Sequence, residues 1–176
     1  HQLLSNAGYS GCAPVGESLA PQSHAARPCV LVVDDTPVNL TLMVDLVSAE
    51  YRVRVAADGQ RALAIATAPN PPALVLLDVM MPGQDGYEII GLLKANPATA
   101  DIPVIFLTAK SQMEDEEKGL QLGAVDFIAK PISPPIVLTR VRTQLALKLA
   151  RDFLVDKARY LETEVQRRTA EVKDIQ

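Results

Sequence analysis

The 176-residue sequence contains few cysteine, histidine and aromatic residues, and each shortage excludes a class of site. Two cysteines, Cys12 and Cys29, are too few for a disulfide framework or a cysteine-based metal site. The two histidines, His1 and His24, precede the first predicted strand, which excludes a multi-histidine metal centre. Aromatic residues make up 4% of the chain and tryptophan is absent, so a base-stacking surface for nucleic acid is not expected.

Long apolar runs and an excess of positive charge are also missing. No apolar run approaches the roughly 18 residues that a membrane helix needs, and the N-terminus lacks the features of a secretory signal peptide. The net charge of −4 argues against binding nucleic acid through charge. The sequence therefore predicts a cytoplasmic protein with free thiols that binds neither a membrane nor nucleic acid directly.

Three segments of different composition predict the domain organisation. Residues 1–27 hold Gly, Ser, Ala and Pro with very few charges, which is typical of an extension without its own core. Residues 28–150 predict one domain, because most of this segment alternates short apolar runs with helical stretches. Residues 151–176 predict a helical linker, because no Gly or Pro occurs after Pro135.

Five short runs rich in Val, Ile and Leu predict strands, and helical stretches alternate with them. This alternation predicts an α/β fold, a parallel sheet with helices on both faces. Only the second run alternates apolar and charged residues, which predicts a strand at a sheet edge. The strands are predicted at Cys29–Val33, Tyr51–Val55, Leu74–Leu77, Val104–Leu107 and Val125–Ile128, and the helices at Pro37–Ala49, Gly59–Ala68, Gly86–Ala95 and Gln112–Leu122.

Helix start signals support two of these helices. Thr36 is the predicted N-cap of the first, followed by Pro37 at the first helical position. Ser111 and Glu114 form a predicted capping box at the start of the fourth.

The C-terminal segment has apolar residues at a spacing of three or four, interrupted by Arg151 and Arg168. This heptad pattern over four repeats predicts a coiled coil. The alternative is a single amphipathic helix that folds back on its own domain. The apolar positions, called here the heptad seam, are Leu147, Leu154, Ala158, Leu161, Val165, Val172 and Ile175.

Charged and hydroxyl side chains stand at the ends of four predicted strands. Asp34 and Asp35 follow the first strand, Asp78 the third and Thr108 the fourth, and Lys130 comes shortly after the fifth. We expect them to converge, because the carboxyl ends of parallel strands share the edge where such sheets bind ligands. Taken singly, each has an ordinary structural interpretation, such as a helix cap or a surface charge. Together, three carboxylates require a cation, oxygen ligands suit Mg²⁺, and the set predicts a site for Mg²⁺ and a phosphoryl group.

Several motifs around these residues resemble those of one family. From about Pro28 to Ala150 the chain resembles the receiver domain of two-component response regulators. The resemblance implies the flavodoxin-like (CheY-like) fold, a doubly wound five-stranded parallel sheet in the order 2-1-3-4-5. The motifs are Val-Leu-Val-Val-Asp-Asp at 30–35, Leu-Asp-Val-Met-Met-Pro-Gly at 77–83, Asp-Gly at 85–86, Pro-Val-Ile-Phe-Leu-Thr-Ala at 103–109 and Gly-Ala-Val-Asp-Phe-Ile-Ala-Lys-Pro at 123–131.

The resemblance implies a phosphoacceptor and a metal site. Asp78 is the expected phosphoacceptor, and its phosphoryl group is expected to come from a sensor histidine kinase or a phosphotransfer protein. Asp35 is expected to ligate Mg²⁺ directly, Asp34 mainly through water, and the backbone carbonyl of Met80 to complete the protein ligands.

The resemblance also implies a conformational switch. Thr108 and Lys130 are expected to contact the phosphoryl oxygens, and Phe127 occupies the aromatic switch position. The peptide bond between Lys130 and Pro131 is expected to be cis. Gln84 departs from the apolar residue that is usual in its loop, without affecting any catalytic role.

The C-terminal helix resembles the linker that joins receivers to HD-GYP cyclic-di-GMP phosphodiesterases. Similar helices precede diguanylate cyclase and histidine kinase modules. The metal-binding histidines and aspartates of an HD-GYP module do not occur in the sequence, so the output module is expected to be missing. The helix is expected to form a homodimer.

Three functions compete at this point. The first is a phospho-switch that controls an output module through a helical dimer. The second is an enzyme, either an aspartyl-phosphate-type phosphatase or a cyclic-di-GMP phosphodiesterase; alternatively, the chain is a fragment of such a phosphodiesterase or of a diguanylate cyclase. The third is an inert coiled-coil dimeriser. The complete set of Asp35, Asp78, Thr108 and Lys130 favours the first, in which the chain is not itself an enzyme beyond its own phosphorylation and dephosphorylation.

Overall fold

The computed structural model of the chain describes residues 27–109 and 113–174, and the side chains of residues 113–116 also lie outside this description. Within these residues five strands alternate with five helices, as the sequence predicts. The strands are β1 (Cys29–Val33), β2 (Arg52–Ala56), β3 (Leu74–Asp78), β4 (Val104–Ala109) and β5 (Asp126–Lys130). The helices are α1 (Pro37–Val47), α2 (Gly59–Ala66), α3 (Gly86–Ala95), α4 (Met113–Leu122) and α5 (Pro134–Asp174).

The five strands form one parallel sheet in the order β2-β1-β3-β4-β5, which confirms the predicted α/β fold and strand order. In the register of the sheet, Val33 lies opposite Ala56 on β2 and Leu77 on β3. The carboxyl ends of β1 and β3 are therefore level with each other. The sheet is doubly wound, and residues that follow these strands emerge together at one edge.

Two hydrophobic clusters cover the two faces of the sheet. Helices α2 and α3 pack on one face around the fully buried ring of Phe106. Helices α1 and α5 pack on the other face through Met43 and Val137. Strands β1 and β3 are buried at every position, which explains why their sequences are continuous apolar runs.

The two edge strands differ in their sequence patterns. Strand β2 is at one edge, as its alternating sequence predicts, and Arg52 and Val55 are exposed. Strand β5 forms the other edge, although its sequence lacks alternation. Ala129 on β5 is exposed.

Most element boundaries differ from the predicted ones by one or two residues. Strands β3 and β4 run on to include Asp78 and Thr108, and β5 includes Lys130, so these side chains belong to the strands themselves. Thr36 occupies the N-cap of α1, but its side chain makes no capping hydrogen bond. Residues 1–26 of the predicted extension at 1–27 and Ser111 of the predicted capping box lie outside the described residues.

Helix α5 is anchored to the domain by its first turns only. Val137 and Val141 are fully buried, and burial of a valine contributes about 1.5–3 kcal/mol. Arg140 forms an ion pair with Asp126 at 2.8 Å, and Arg142 forms one with Glu50. The helix continues without a break past Ala150, and from residue 151 to 174 every residue except the half-buried Glu164 is exposed. This part therefore does not fold back on the sheet.

Within the described ranges, no helix is both long enough and apolar enough to cross a membrane.

Candidate functional site

Three carboxylates meet at the carboxyl edge of the sheet, as predicted. Asp34 follows β1, Asp78 is the last residue of β3, and Asp35 extends outward beside them. One oxygen from each of the three lies within 4.8 Å of the others. Asp34 and Asp78 are buried, at 0% and 2% exposure, whereas Asp35 is exposed. The cluster thus has a closed inner side and an open outer side.

Lys130 reaches this cluster from the end of β5. Its Nζ lies 3.0 Å from Asp78 Oδ2 and 3.6 Å from Asp34 Oδ2. The peptide bond between Lys130 and Pro131 is cis, as predicted. The ammonium group is shared between two buried carboxylates, and it lies closer to Asp78.

The electrostatic balance at Asp78 disfavours its charged form. Burial raises the pKa of the Asp78 carboxyl above its usual value, and the Asp34 carboxylate acts in the same direction. The hydrogen bond from Lys130 and one from the Met80 backbone N–H, at 3.1 Å to Asp78 Oδ1, oppose this shift in pKa. Ionisation of the Asp78 carboxyl therefore costs free energy in the folded protein.

Replacing Asp78 with asparagine is accordingly expected to increase the free energy of unfolding near neutral pH in the presence of a chelator. The raised pKa means that the folded state binds a proton more tightly than the unfolded state. The stability of the native chain therefore falls as the pH rises through the interval between the two pKa values. Asparagine carries no such penalty. In denaturant titrations, the free energy of unfolding should be larger for Asp78→Asn than for the native chain, and this difference should shrink as the pH falls toward about 4. An advantage independent of pH would contradict this explanation.

Thr108 is placed beside the carboxylates by the register of β4. Asp78 lies opposite Leu107, so Thr108 is one residue further along the neighbouring strand, and it is 2% exposed. Ala129 of β5 lies opposite Thr108, which brings the residue before Lys130 to the same level. The structure thus brings together all five residues that the sequence selects.

The loop after Asp78 depends on two glycines. Gly83, which follows Met81 and Pro82, has a φ of 82°, a backbone conformation that favours glycine. A Cβ atom on Gly86 would lie 2.9 Å from the backbone oxygen of Asp78. Only glycine at position 86 therefore allows the start of α3 to lie this close to the backbone of Asp78.

Phe127 lies behind the cluster in a row of aromatic rings. It is half-buried, and its ring stacks on that of Phe106 with the centroids 6.2 Å apart. Tyr87 meets the other side of Phe106, edge to face, at 5.5 Å. A Cβ atom on Gly119 of α4 would lie 2.8 Å from the Phe106 ring and 3.0 Å from the Phe127 ring, so this glycine leaves the space that both rings occupy.

Asp34 has partners that the sequence analysis did not identify. Its Oδ1 accepts a hydrogen bond from the Thr36 backbone N–H at 2.9 Å, and its Oδ2 accepts one from the Asn39 side-chain amide at 3.2 Å. The start of α1 is thus tied to the buried carboxylate. The only sequence signal was a polar residue in the first turn of a helix, which ordinarily indicates a capping or solvent-facing position.

The donor set of the cluster fits a magnesium ion. The candidate ligands are oxygens of Asp34, Asp35 and Asp78, and Lys130 supplies one positive charge against three carboxylates. Mg²⁺ prefers a few carboxylate ligands and keeps several waters, which the exposed side at Asp35 allows. A cation held by these oxygens would lie beside the buried carboxylate of Asp78.

Comparisons with known proteins agree with this geometry. The family model described as response regulator receiver domain matches residues 30–142. A protein of Vibrio cholerae serotype O1 named "Probable cyclic di-GMP phosphodiesterase" is 48% identical over 147 residues, which cover 84% of this chain and 33% of that protein. "Response regulator PleD" of Caulobacter vibrioides is 44% identical over 126 residues, covering 71% of this chain and 28% of that protein. The chain thus spans about a third of the length of these relatives.

The fold is also similar to a solved structure. The Vibrio cholerae chemotaxis protein CheY4 superimposes with a TM-score of 0.63 at 28% sequence identity. The likeness covers 67% of this chain and 98% of that protein. It extends over essentially all of the smaller protein.

Proposed function

The chain belongs to the response regulator receiver domain family, and from that premise we propose that Asp78 accepts a phosphoryl group in a Mg²⁺-dependent reaction. The observation that carries the proposal is the meeting of Asp78 with Asp34, Asp35 and Lys130 at the carboxyl edge of the sheet. A carboxylate oxygen of Asp78 attacks phosphorus, the bond from phosphorus to the donor breaks, and an acyl phosphate forms.

The donor is the phosphohistidine of a sensor histidine kinase or of a phosphotransfer protein. Lys130, already 3.0 Å from Asp78, is placed to neutralise charge on the transferring oxygens. Asp34, Asp35, Asp78 and the Met80 carbonyl would hold Mg²⁺. When bound, the ion supplies positive charge at the transferring phosphoryl group. The reaction takes place in the cytoplasm, and the partners are proteins rather than nucleic acid or a membrane.

The product adds about −1.5 to −2 charge next to Thr108 and Lys130. Each charge-assisted hydrogen bond to the new oxygens contributes about 1.5–3 kcal/mol. Moving a two-state equilibrium from 1:99 to 99:1 requires about 5.5 kcal/mol, so two or three such bonds suffice. Phe127, packed in the gap left by Gly119, is the proposed side chain that moves with Thr108.

The receiver signals to its output module through helix α5, which we propose to form a parallel homodimer through the heptad seam. The proposed division is an extension at 1–27, a receiver at 28–150 and a linker at 151–176. Leu154, Leu161 and Val165 of the seam are all more than half exposed, which supports pairing with a second copy. Arg151 and Arg168 weaken the pair, which suits a switch better than a permanent clamp.

A second candidate concerns the whole protein. The 147 matched residues shared with the relative named "Probable cyclic di-GMP phosphodiesterase" exceed the span of the receiver match. The likeness therefore extends beyond the receiver itself. This favours an output module that acts on cyclic di-GMP, as a phosphodiesterase or a cyclase, over one that binds DNA.

The test of the main proposal is a Phos-tag gel after incubation with a small phosphodonor. The native chain is expected to shift in Mg²⁺ and not in a chelator. Asp35→Ala should lose both the shift and the change in NMR chemical shifts on adding Mg²⁺, because the open side of the metal site then lacks its only carboxylate. Mg²⁺ binding to Asp35→Ala with native affinity would place the metal elsewhere. A shift of the native chain that does not depend on Mg²⁺ would contradict the mechanism.

A further inference from the structure

Asn39 contacts the acidic cluster from the body of a helix. It is half-buried in the first turn of α1, and its Nδ2 donates a hydrogen bond to Asp34 Oδ2 at 3.2 Å. The same oxygen lies 3.6 Å from Lys130 Nζ. Asp34 Oδ2 thus has two partners, one neutral and one charged.

The two partners differ in how firmly they are placed. Lys130 has a flexible side chain and lies closer to Asp78, at 3.0 Å, than to Asp34. Asn39 is fixed by the backbone of α1, which is packed against the sheet through the fully buried Met43 and Val47. A phosphoryl group on Asp78 draws Lys130 toward itself, whereas Asn39 stays at Asp34.

Asp34 needs such a partner because its carboxylate is completely buried. A buried charged group is costly unless its oxygens accept hydrogen bonds. The Thr36 N–H satisfies Oδ1 at 2.9 Å. Of the two partners of Oδ2 among the described residues, Asn39 is the one that does not also pair with Asp78. The Thr36 and Asn39 donors together fix the plane of the carboxylate.

We infer that Asn39 is a positioning residue for the cation site, which holds Asp34 in the orientation that the metal and its water ligands require. The inference rests on the proposed function, because it assigns a role within the same site. Hydrogen-bond partners of metal-ligating groups typically change metal affinity by about 10–100-fold when they are removed. Asn39 is expected to have an effect in that range.

The experiment is an NMR titration with Mg²⁺ on the full chain and three variants. Asn39→Ala removes the donor, and Asn39→Leu removes it while keeping a branched side chain with the same number of heavy atoms. Both are expected to bind Mg²⁺ about 10-fold more weakly than the native chain. Val38→Ala, a neighbouring change at a residue that is 75% exposed, should bind Mg²⁺ like the native chain.

A kinetic measurement separates positioning from a general loss of structure. The Mg²⁺ concentration that gives half-maximal phosphorylation should rise in Asn39→Ala and Asn39→Leu, while the rate at saturating Mg²⁺ stays close to native. Denaturant titration in a chelator checks that both variants are folded. Native Mg²⁺ affinity in either folded Asn39 variant, or an equal loss in Val38→Ala, would overturn the inference. Failure of the native chain itself to bind Mg²⁺ would instead contradict the proposed function.

Discussion

Phosphoryl incorporation is expected to disappear completely when Asp78 is replaced with asparagine. The amide has nearly the shape of the carboxylate, so the fold and the contact with the Met80 N–H are retained. It lacks the negative oxygen that attacks phosphorus, and it no longer forms an ion pair with Lys130. Intact-mass measurement after treatment with a phosphodonor and Mg²⁺ should show one added phosphoryl group on the native chain and none on Asp78→Asn.

Asp85→Asn is a suitable control for this experiment. Asp85 is the exposed N-cap of α3, and its side chain accepts a hydrogen bond from the Glu88 N–H at 2.9 Å. Asparagine is an equally good N-cap, so the helix is preserved and phosphorylation should proceed as in the native chain. A stoichiometric adduct on Asp78→Asn would overturn the assignment of Asp78 as the phosphoacceptor.

The second large effect concerns self-association. Truncation after Ala150 is expected to reduce the mass measured by light scattering from two copies to one. Burial of a leucine or valine side chain contributes about 1.5–3 kcal/mol, and Leu154, Leu161 and Val165 are available on each chain. The total is comparable with the cost of association, about 4–15 kcal/mol, which predicts a weak dimer. The truncated chain keeps only Leu147 of the heptad seam, which is too little apolar surface to offset that cost.

Two single substitutions test the same pairing without shortening the chain. Leu161 and Tyr160 are neighbours, both are exposed at 52% and 67%, and only Leu161 belongs to the heptad seam. Leu161→Glu should therefore give a monomer, whereas Tyr160→Glu should leave the dimer intact. Equal disruption by both would move the interface to another face of α5. A dimer that survives truncation would assign the interface to the receiver.

The sequence predicts most of this architecture because its signals are local. The sequence predicts that Asp78, Thr108 and Lys130 lie close together, since each follows a buried apolar run and parallel strands end at one edge. The lengths of β3 and β4 were less predictable, because a polar residue at a strand end resembles the start of a loop. Backbone pairing with the neighbouring strand decides such cases.

The contacts within the site could not be predicted in the same way. The bond between Asn39 and Asp34 joins residues five apart across the end of β1, and it depends on how the chain turns at Thr36. The placement of the Phe106 and Phe127 rings depends on the absence of a side chain at Gly119, which only the packing of α4 reveals. These contacts follow from three-dimensional packing, for which neither spacing nor residue type is a sufficient signal.

The unbroken course of α5 gives the protein a mechanical property. From Val141, the last fully buried residue of the helix, to Asp174 the helix extends about 50 Å at 1.5 Å per residue. It behaves as a lever whose pivot lies at the anchored turns, next to the ion pair of Arg140 and Asp126. A tilt of about 5° at that pivot displaces the far end by about 4 Å, roughly the width of a side chain. A small rearrangement near β5 is thereby amplified with distance, without any moving joint along the way.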